Sequence, residues 1–571
     1  MTEAAAFPTG ATVLRRLARW PAATLFLLCA IAWLPGFFTL PPLDRDESRF
    51  AQASKQMVET GNLVDIRFGD VARYNKPIGI YWLQSATAKI FGGPEHKEIW
   101  TYRLPSLIGG FLALLFAYWC ARAFASRETS LLSAALLGAT LLMTAEAKIA
   151  TTDAVLLATV LAAQAVFLRV YLAARDPTRR QPAPGIVLAG WVAIAAGILI
   201  KGPVILAVLG VTFAAVSLWD RDWRWLKATR PALGIPLVAI LVAPWAIAIG
   251  IESHGAFYQQ SLGHDFANKI AGGQESHGAP PGYFLLLSSV TFWPATLLAL
   301  PAIVSGIAFR RQAASRYLLA WVAATWVLFE IVPTKLPHYI LPAYPALAML
   351  CALWATRPAP IDEPRGERMA RYVASVQFFV VSLALAVVPI AAAWKFGSSV
   401  APPVVIGIGA IFATGIAAAI MMAGRKVVAA ALLGILAAII VYPVLAMGVA
   451  PELSPLWTSP RAAALIAKDA RPEDPPVVLA GYVEPSLVFL LGTNTRLETG
   501  LSGADLAARQ GGLAMIDDRE RQNFLAVLAA RHAPAAIVDG LSGYDYSRGR
   551  CVHLTLYRVT PMPHFTTPPA K

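Results

Sequence analysis

Apolar residues run along this chain in long blocks, and most polar positions fall in the short connections between them. A helix that crosses a bilayer needs about 20 largely apolar residues. On that scale thirteen segments qualify, near 20–40, 104–124, 129–147, 153–173, 184–200, 203–219, 231–250, 282–308, 316–333, 338–355, 372–394, 402–422 and 427–449. "IKGP" and "PTKLP" interrupt the pattern around 200 and 335. In the first long connection Phe50, Ala51, Ala53, Met57 and Val58 recur at near-helical spacing, and "ETGN" ends the run. "IGIYWLQSATAKIFG", with Tyr81 and Trp82, repeats the pattern after a polar turn, so the reading is two amphipathic helices on the outer membrane surface.

Beyond about residue 451 the periodicity changes. Strand-like runs ("PPVVLAGY", "SLVFLLG", "AAIVD", "VHLTLYRV") alternate with helix-like ones ("GADLAARQ", "RERQNFLAVLAARH"), the pattern of a small α/β domain. The expected architecture is mainly α: a polytopic helical membrane domain over 1–450, with outer loops 41–103 and 251–281, followed by an extracytoplasmic α/β domain over 451–571.

Charge fixes the orientation expected of this bundle. With 57% hydrophobic and 14% charged residues the chain is a membrane protein in composition, against roughly 25% charged for a soluble one. Connections such as "RVYLAARDPTRRQ" and "WDRDWRWLKATR" are rich in Arg and Lys, whereas the alternate ones carry single lysines, at Lys148, Lys201, Lys269, Lys335 and Lys395. The positive-inside rule then places the N-terminus in the cytoplasm and, with an odd helix number, the C-terminal domain outside. The same rule accounts for the net charge of +14 without invoking nucleic acid. Arg15, Arg16 and Arg19 precede a run that continues through "LPGFF" without a small-x-small cleavage site, so it reads as an uncleaved first helix. The four cysteines show neither metal-ligand nor disulfide spacing.

Candidate chemistry lies at the outer helix ends. "LDRDESRFAQ" sets Asp44, Asp46 and Glu47 within four positions; one carboxylate serves as a helix cap, and three exceed that need. Like charges this close raise one pKa, as a general base requires. Asp153 in "TTDAVLL" suits an N-cap equally, but topology puts it on the same face as Asp46. Lys76, Lys201, Lys269, Lys335, His338, Tyr339 and Tyr344 share that face, each readable as an interfacial anchor or, together, as a phosphate site. In the Gly-rich loop, His264, Asp265, Glu275 and His277 fit no standard zinc spacing; a gating loop is the expectation and a metal the minority reading. No P-loop, dinucleotide fingerprint or Ser triad occurs.

"LDRDESRFAQ", "YNKPIGIYWLQ", "RLPS" (103–106), "TTDAVLL", "KGP" (201–203) and "PTKLPHYILPAYPALAML" together resemble the C-type integral-membrane glycosyltransferases. The resemblance is to their protein-mannosyltransferase-like branch, which includes bacterial aminoarabinose transferases of lipid A, and it covers roughly residues 20–355. It implies a bacterial inner-membrane enzyme that moves a sugar, with inversion, from a polyprenyl phosphate to lipid A or another periplasmic glycan or lipid acceptor. Carried over residue by residue, it implies catalytic carboxylates at Asp46, Glu47 and Asp153. The donor phosphate would be held by Lys76, Lys269 and Tyr344, with Lys201, Lys335 and His338 nearby. A lipid monophosphate leaving group makes a metal cofactor dispensable. The competing reading is a flippase for lipid-linked sugars, which would carry paired halves and mid-helix charges.

Overall fold

The computed structural model describes residues 9–266, 278–396 and 402–562. Each expected apolar segment falls on a helix, but not every helix is a full span. Among the described residues nine helices are long and apolar enough to cross a membrane, or ten with the bent pair Arg127–Gly138 and Leu141–Lys148 counted as one. Pro21–Trp33, Val204–Asp220 and Thr296–Ala308 are shorter. A helix of 13 residues rises about 20 Å, against about 30 Å of hydrocarbon, so the expectation of thirteen complete spans is not met by length alone.

Two expected spans are broken, and the breaks meet. The segment 129–147 bends by 64° between Gly138 and Leu141. The segment 282–308 divides into Tyr283–Thr291 and Thr296–Ala308, because Pro294 has no N–H with which to continue a helix. The backbone groups freed by the bend find partners inside the protein, as buried irregular backbone must. Trp33 donates to the Gly138 carbonyl at 3.1 Å, the Tyr442 hydroxyl to that of Ala139 at 2.6 Å, and Leu141 N to the Trp293 carbonyl at 2.9 Å. The bend turns Leu141–Lys148 away from its predecessor and directs Glu146 toward Thr151 and His338.

In the first outer loop the two expected helices are Asp46–Thr60 and Gly79–Phe91, joined by a hairpin of β1 (Arg67–Phe68) and β2 (Val71–Ala72). Gly61, at φ 74°, closes the first helix as a left-handed C-cap that costs a residue without Cβ little. The second helix leaves Trp82, Leu83, Ile90 and Phe91 exposed, consistent with a membrane-facing side. The first does not lie open on a surface as expected. Its polar residues Ser48, Gln52, Ser54, Lys55 and Gln56 are buried: the C-terminal domain packs over Gln52 and Lys55, Gln84 of the second helix meets Ser54, and the hairpin meets Gln56.

That domain opens with the helix Thr458–Asp469 and builds a five-stranded sheet from β3 (Val478–Ala480), β4 (Arg496–Glu498), β5 (Gly512–Asp517), β6 (Ala535–Asp545) and β7 (Arg550–Val559). The order is β4-β3-β5-β7-β6, parallel on the β4-β3-β5 side and antiparallel from β5 to β6. Helices Gly500–Gln510 and Asp518–Ala530 cover one face, and Thr458–Asp469 the other. "SLVFLLG", read as a strand, is the helix Pro485–Leu491. Pro485 suits a first helical turn, and Leu487, Val488 and Phe489 are all buried, so the run has no half-exposed face to alternate. All four cysteines are unpaired.

Candidate active site

The site grows from a buried ion pair. Glu47, in the first turn of Asp46–Thr60, accepts from Arg103 through both oxygens, at 2.7 and 2.9 Å. Its Oε1 also accepts from Ala150 N at 2.9 Å and its Oε2 from Leu43 N at 2.8 Å. Arg103 further donates to the carbonyls of Phe37, Leu40 and Pro41, at 2.9 to 3.0 Å. Both side chains are 2% exposed, so every oxygen of Glu47 is committed to holding chain segments together. The structure thus assigns Glu47, expected beside Asp46 as a catalytic carboxylate, to anchoring. "RLPS" carried the signal for its partner.

With Glu47 fixed, its neighbour is presented. Arg45 stands at φ 64°, ψ −102°, a conformation that costs a side-chain-bearing residue about 1–3 kcal/mol and persists only where its surroundings enforce it. Asp46 follows at the start of the helix and is exposed. Its charge acts on Tyr81, Glu146 and His338. Burial is the main cause that pushes the Tyr81 hydroxyl above its ordinary value, with Arg73 opposing and Asp46 reinforcing the shift.

Three more segments complete the cluster. Asp153 heads Asp153–Arg175, and its Oδ1 lies 2.6 Å from Lys201 at the end of Pro184–Lys201. Its Oδ2 lies 4.0 Å from His338 in the 3-10 turn Pro337–Ala343. His338 also approaches Glu146 to 3.9 Å, while Glu146 accepts from the Thr151 hydroxyl at 2.8 Å. Lys201 sits 5.6 Å from the Tyr339 ring. The "YNKP" turn is drawn in by a close approach: a Cβ on Gly79 would stand 2.8 Å from the Leu199 carbonyl. Lys76 lies there, donates to the Asn75 carbonyl at 3.1 Å, and its charge reaches His338.

Asp46, Glu146, Asp153, Lys76, Lys201 and His338 therefore form one mixed-charge cluster. Sequence reading passed over Glu146, whose only mark was a carboxylate in "TAEAK" seven residues before Asp153. The opposite end of Asp153–Arg175, about 33 Å away, holds Arg175 and Arg316 on Asp220, so the two ends of the bundle differ in chemistry.

Other expected residues sit differently. Lys335 is buried and donates to the carbonyls of Ala279 and Val332 at 3.1 and 3.2 Å. Tyr344 is fully buried, its hydroxyl 2.5 Å from that of Thr291 and its ring against Phe292. Lys269, Glu275 and His277 lie outside the described residues, and His264 is described only as part of the turn Gln259–Phe266. Among the described residues no group of three or more His, Cys, Asp or Glu is arranged to hold a metal.

A cleft of about 1490 Å³ opens between the first outer loop and the C-terminal domain. Arg49, Lys55, Arg73, Asn75 and Lys97 are among its lining residues; Arg49 lies one helical turn beyond Asp46, and Asn75 precedes Lys76 in the chain.

Residues 36–256, which contain most of this cluster, match the family described as dolichyl-phosphate-mannose-protein mannosyltransferase. A curated relative from Erwinia tasmaniensis, an undecaprenyl phosphate-alpha-4-amino-4-deoxy-L-arabinose arabinosyl transferase, is 30% identical over 394 residues, 67% of this chain and 68% of that protein. The chain belongs to this family of membrane glycosyltransferases. A relative of the same description from Enterobacter is 29% identical over 356 residues, 61% of each chain, so the match spans about two thirds of these proteins. The fold agrees: the crystal structure of ArnT from Cupriavidus metallidurans bound to undecaprenyl phosphate superposes with a TM-score of 0.72 at 19% identity, covering 93% of this chain and 97% of that one. By family and fold the chain is thus a C-type glycosyltransferase, and the flippase alternative finds no support.

Proposed function

We propose that this enzyme transfers 4-amino-4-deoxy-L-arabinose from undecaprenyl phosphate to a phosphate of lipid A or a similar phosphorylated lipid, at the outer face of the bacterial inner membrane. The N-terminus is cytoplasmic in this reading, and residues 451–571 form a periplasmic domain. The observation that carries it is the charge pattern of the cluster. The donor bears a cationic amine on its sugar and an anionic phosphate beneath it, and the site offers carboxylates (Asp46, Glu146, Asp153) interleaved with lysines (Lys76, Lys201). The names of the relatives support the same donor.

The acceptor oxygen attacks the anomeric carbon, the bond from that carbon to the donor phosphate breaks, and the electron pair leaves on the lipid phosphate. Lys76 meets the charge that develops there, with Lys201 behind it. The departing monophosphate needs no divalent ion for this. An ionised acceptor phosphate has no proton to give up, so Asp46 orients the sugar's ammonium at the rim instead of acting as a base. The acceptor enters through the cleft, whose Arg49 and Arg73 are suited to its phosphates.

The test is transfer in proteoliposomes containing undecaprenyl phosphate aminoarabinose and lipid A, read by mass spectrometry. Wild-type protein adds one aminoarabinose to lipid A. Failure to do so with that donor, alongside transfer from another polyprenyl-phosphate sugar, reassigns the substrate.

A further inference from the structure

The backbone turn that presents Asp46 is held from two sides. On the membrane side Glu47 and Arg103 fix Leu43 and the segment before it. On the outer side the holder is the C-terminal domain. Asp44 N donates to the Tyr546 hydroxyl at 2.6 Å. The Asp44 carboxylate accepts from Ser486, from its hydroxyl and, at 3.3 Å, from its backbone N–H. Ser486 is itself fixed: its hydroxyl lies 2.6 Å from that of Ser459, which lies 2.8 Å from the Tyr482 phenol. These residues come from the helix Thr458–Asp469, the turn after β3, the helix Pro485–Leu491 and the turn after β6, so the grip draws on much of the domain.

Arg45 lies between the two holds with its φ at 64° and no side-chain cap at the helix start. Nothing local favours that conformation in an arginine. Releasing either hold allows Arg45 to relax to negative φ, which rotates the first turn and turns the Asp46 carboxylate away.

We infer that Asp44 is a positioning residue: the C-terminal domain, gripping Asp44 through Ser486 and Tyr546, enforces the Arg45 turn and thereby aims Asp46 at the sugar. The domain is then part of the catalytic apparatus although Asp44, Ser486 and Tyr546 act only through the turn they hold. This rests on the reading of Asp46 given above.

The test uses the full-length enzyme in proteoliposomes with the polyprenyl-phosphate sugar donor. In Asp44→Ala, and more mildly in Ser486→Ala and Tyr546→Phe, kcat falls while the donor KM holds, because binding groups elsewhere are intact and only the alignment at the reacting centre is lost. A misplacement of this kind lowers kcat by about 10- to 100-fold. Asp44→Asn, which keeps an oxygen toward Ser486, retains most of the activity. Arg45→Gly in the Asp44→Ala background recovers part of kcat, because glycine adopts positive φ without steric cost and no longer pulls the turn away. A merely structural contact would give no such rescue. Wild-type kcat in Asp44→Ala, or a double variant no better than Asp44→Ala, overturns the inference. Asp46→Asn, run in parallel, separates the two readings: full activity there removes the role of Asp46 itself, whereas an inactive Asp46→Asn beside a fully active Asp44→Ala removes only the grip.

Discussion

Adjacent carboxylates at Asp46 and Glu47 are expected to respond to the same substitution in opposite ways. Glu47→Gln preserves length but replaces one oxygen by an NH2. Oε1 accepts from Arg103 Nε and Ala150 N, and Oε2 from Arg103 Nη2 and Leu43 N, at 2.7 to 2.9 Å. In either orientation the new donor faces two donors, and Arg103, 2% exposed, keeps a charge with no counterion. Breaking a buried pair from one side costs about 3–5 kcal/mol. At about 2–4 °C per kcal/mol for a cooperative unit of 150–250 residues, the unfolding midpoint falls by about 6 °C or more. Asp46→Asn alters an exposed group, so its midpoint stays within the effect of about 0.5 kcal/mol usual for surface changes, while turnover falls by about 100-fold or more. Thermal unfolding in detergent and sugar transfer well below the midpoint measure both quantities on the same preparations. A Glu47→Gln enzyme with an unchanged midpoint and no turnover would make Glu47 a reacting group and refute the assignment to anchoring.

Further outcomes follow from the same geometry. Lys201→Met removes the lysine from the buried Asp153 and leaves it His338 at 4.0 Å and the Thr152 hydroxyl at 3.1 Å, so it destabilises by about 3 kcal/mol; the double variant Asp153→Asn/Lys201→Met is more stable than Lys201→Met yet inactive, as a double-mutant cycle will record. Lys76→Met raises the donor KM and lowers kcat, whereas Lys76→Arg retains a measurable fraction of both, checked by initial rates over donor concentration. Transfer survives dialysis against EDTA, since Lys76 and Lys201 supply the charge a metal would; abolition by EDTA and restoration by a divalent ion would contradict this. The Asp44 carboxyl is pushed up to about 7 from its ordinary 3.8, chiefly by burial, with Glu484 and Asp545 reinforcing and Ser486 opposing. Between about pH 4 and 7 the folded protein therefore holds a proton that the unfolded one has released, and stability falls as pH rises through that window. Protection factors over 43–46, that is exchange corrected for the intrinsic base-catalysed rate, are accordingly higher at about pH 6 than at about pH 8. Tyr482, Tyr546, Glu47, Arg45, Arg548 and Arg550 also face these three acids.

Much of this was legible in one dimension because it depends on local pattern. Apolar run length located the membrane helices, and period-2 and period-3.6 alternation separated the C-terminal α/β domain from the bundle. The excess of Arg and Lys in alternate connections set Asp46, Lys76, Asp153, Lys201 and His338 on one face of the bundle. What pattern cannot carry is the identity of a partner distant in the chain. Whether a carboxylate meets substrate or an arginine depends on residue 103 reaching residue 47, and the two neighbours Asp46 and Glu47 have indistinguishable sequence credentials. Glu146 joined the site only because a helix bends by 64° where its freed backbone groups find Trp33, Tyr442 and Trp293. "SLVFLLG" became a helix because it is packed from two sides, with Leu487 in the core of the C-terminal domain and Phe489 against Ala51 and Tyr102 of the membrane part. The sequence by itself thus determined most of the elements that form and which charges share one end of the bundle, since hydrophobic burial and helix propensity act over a few neighbouring residues. The tertiary structure decided which of those charges are buried in ion pairs, as Glu47 is, and which stay exposed, as Asp46 does, since an ion pair's partner is chosen by distance in space.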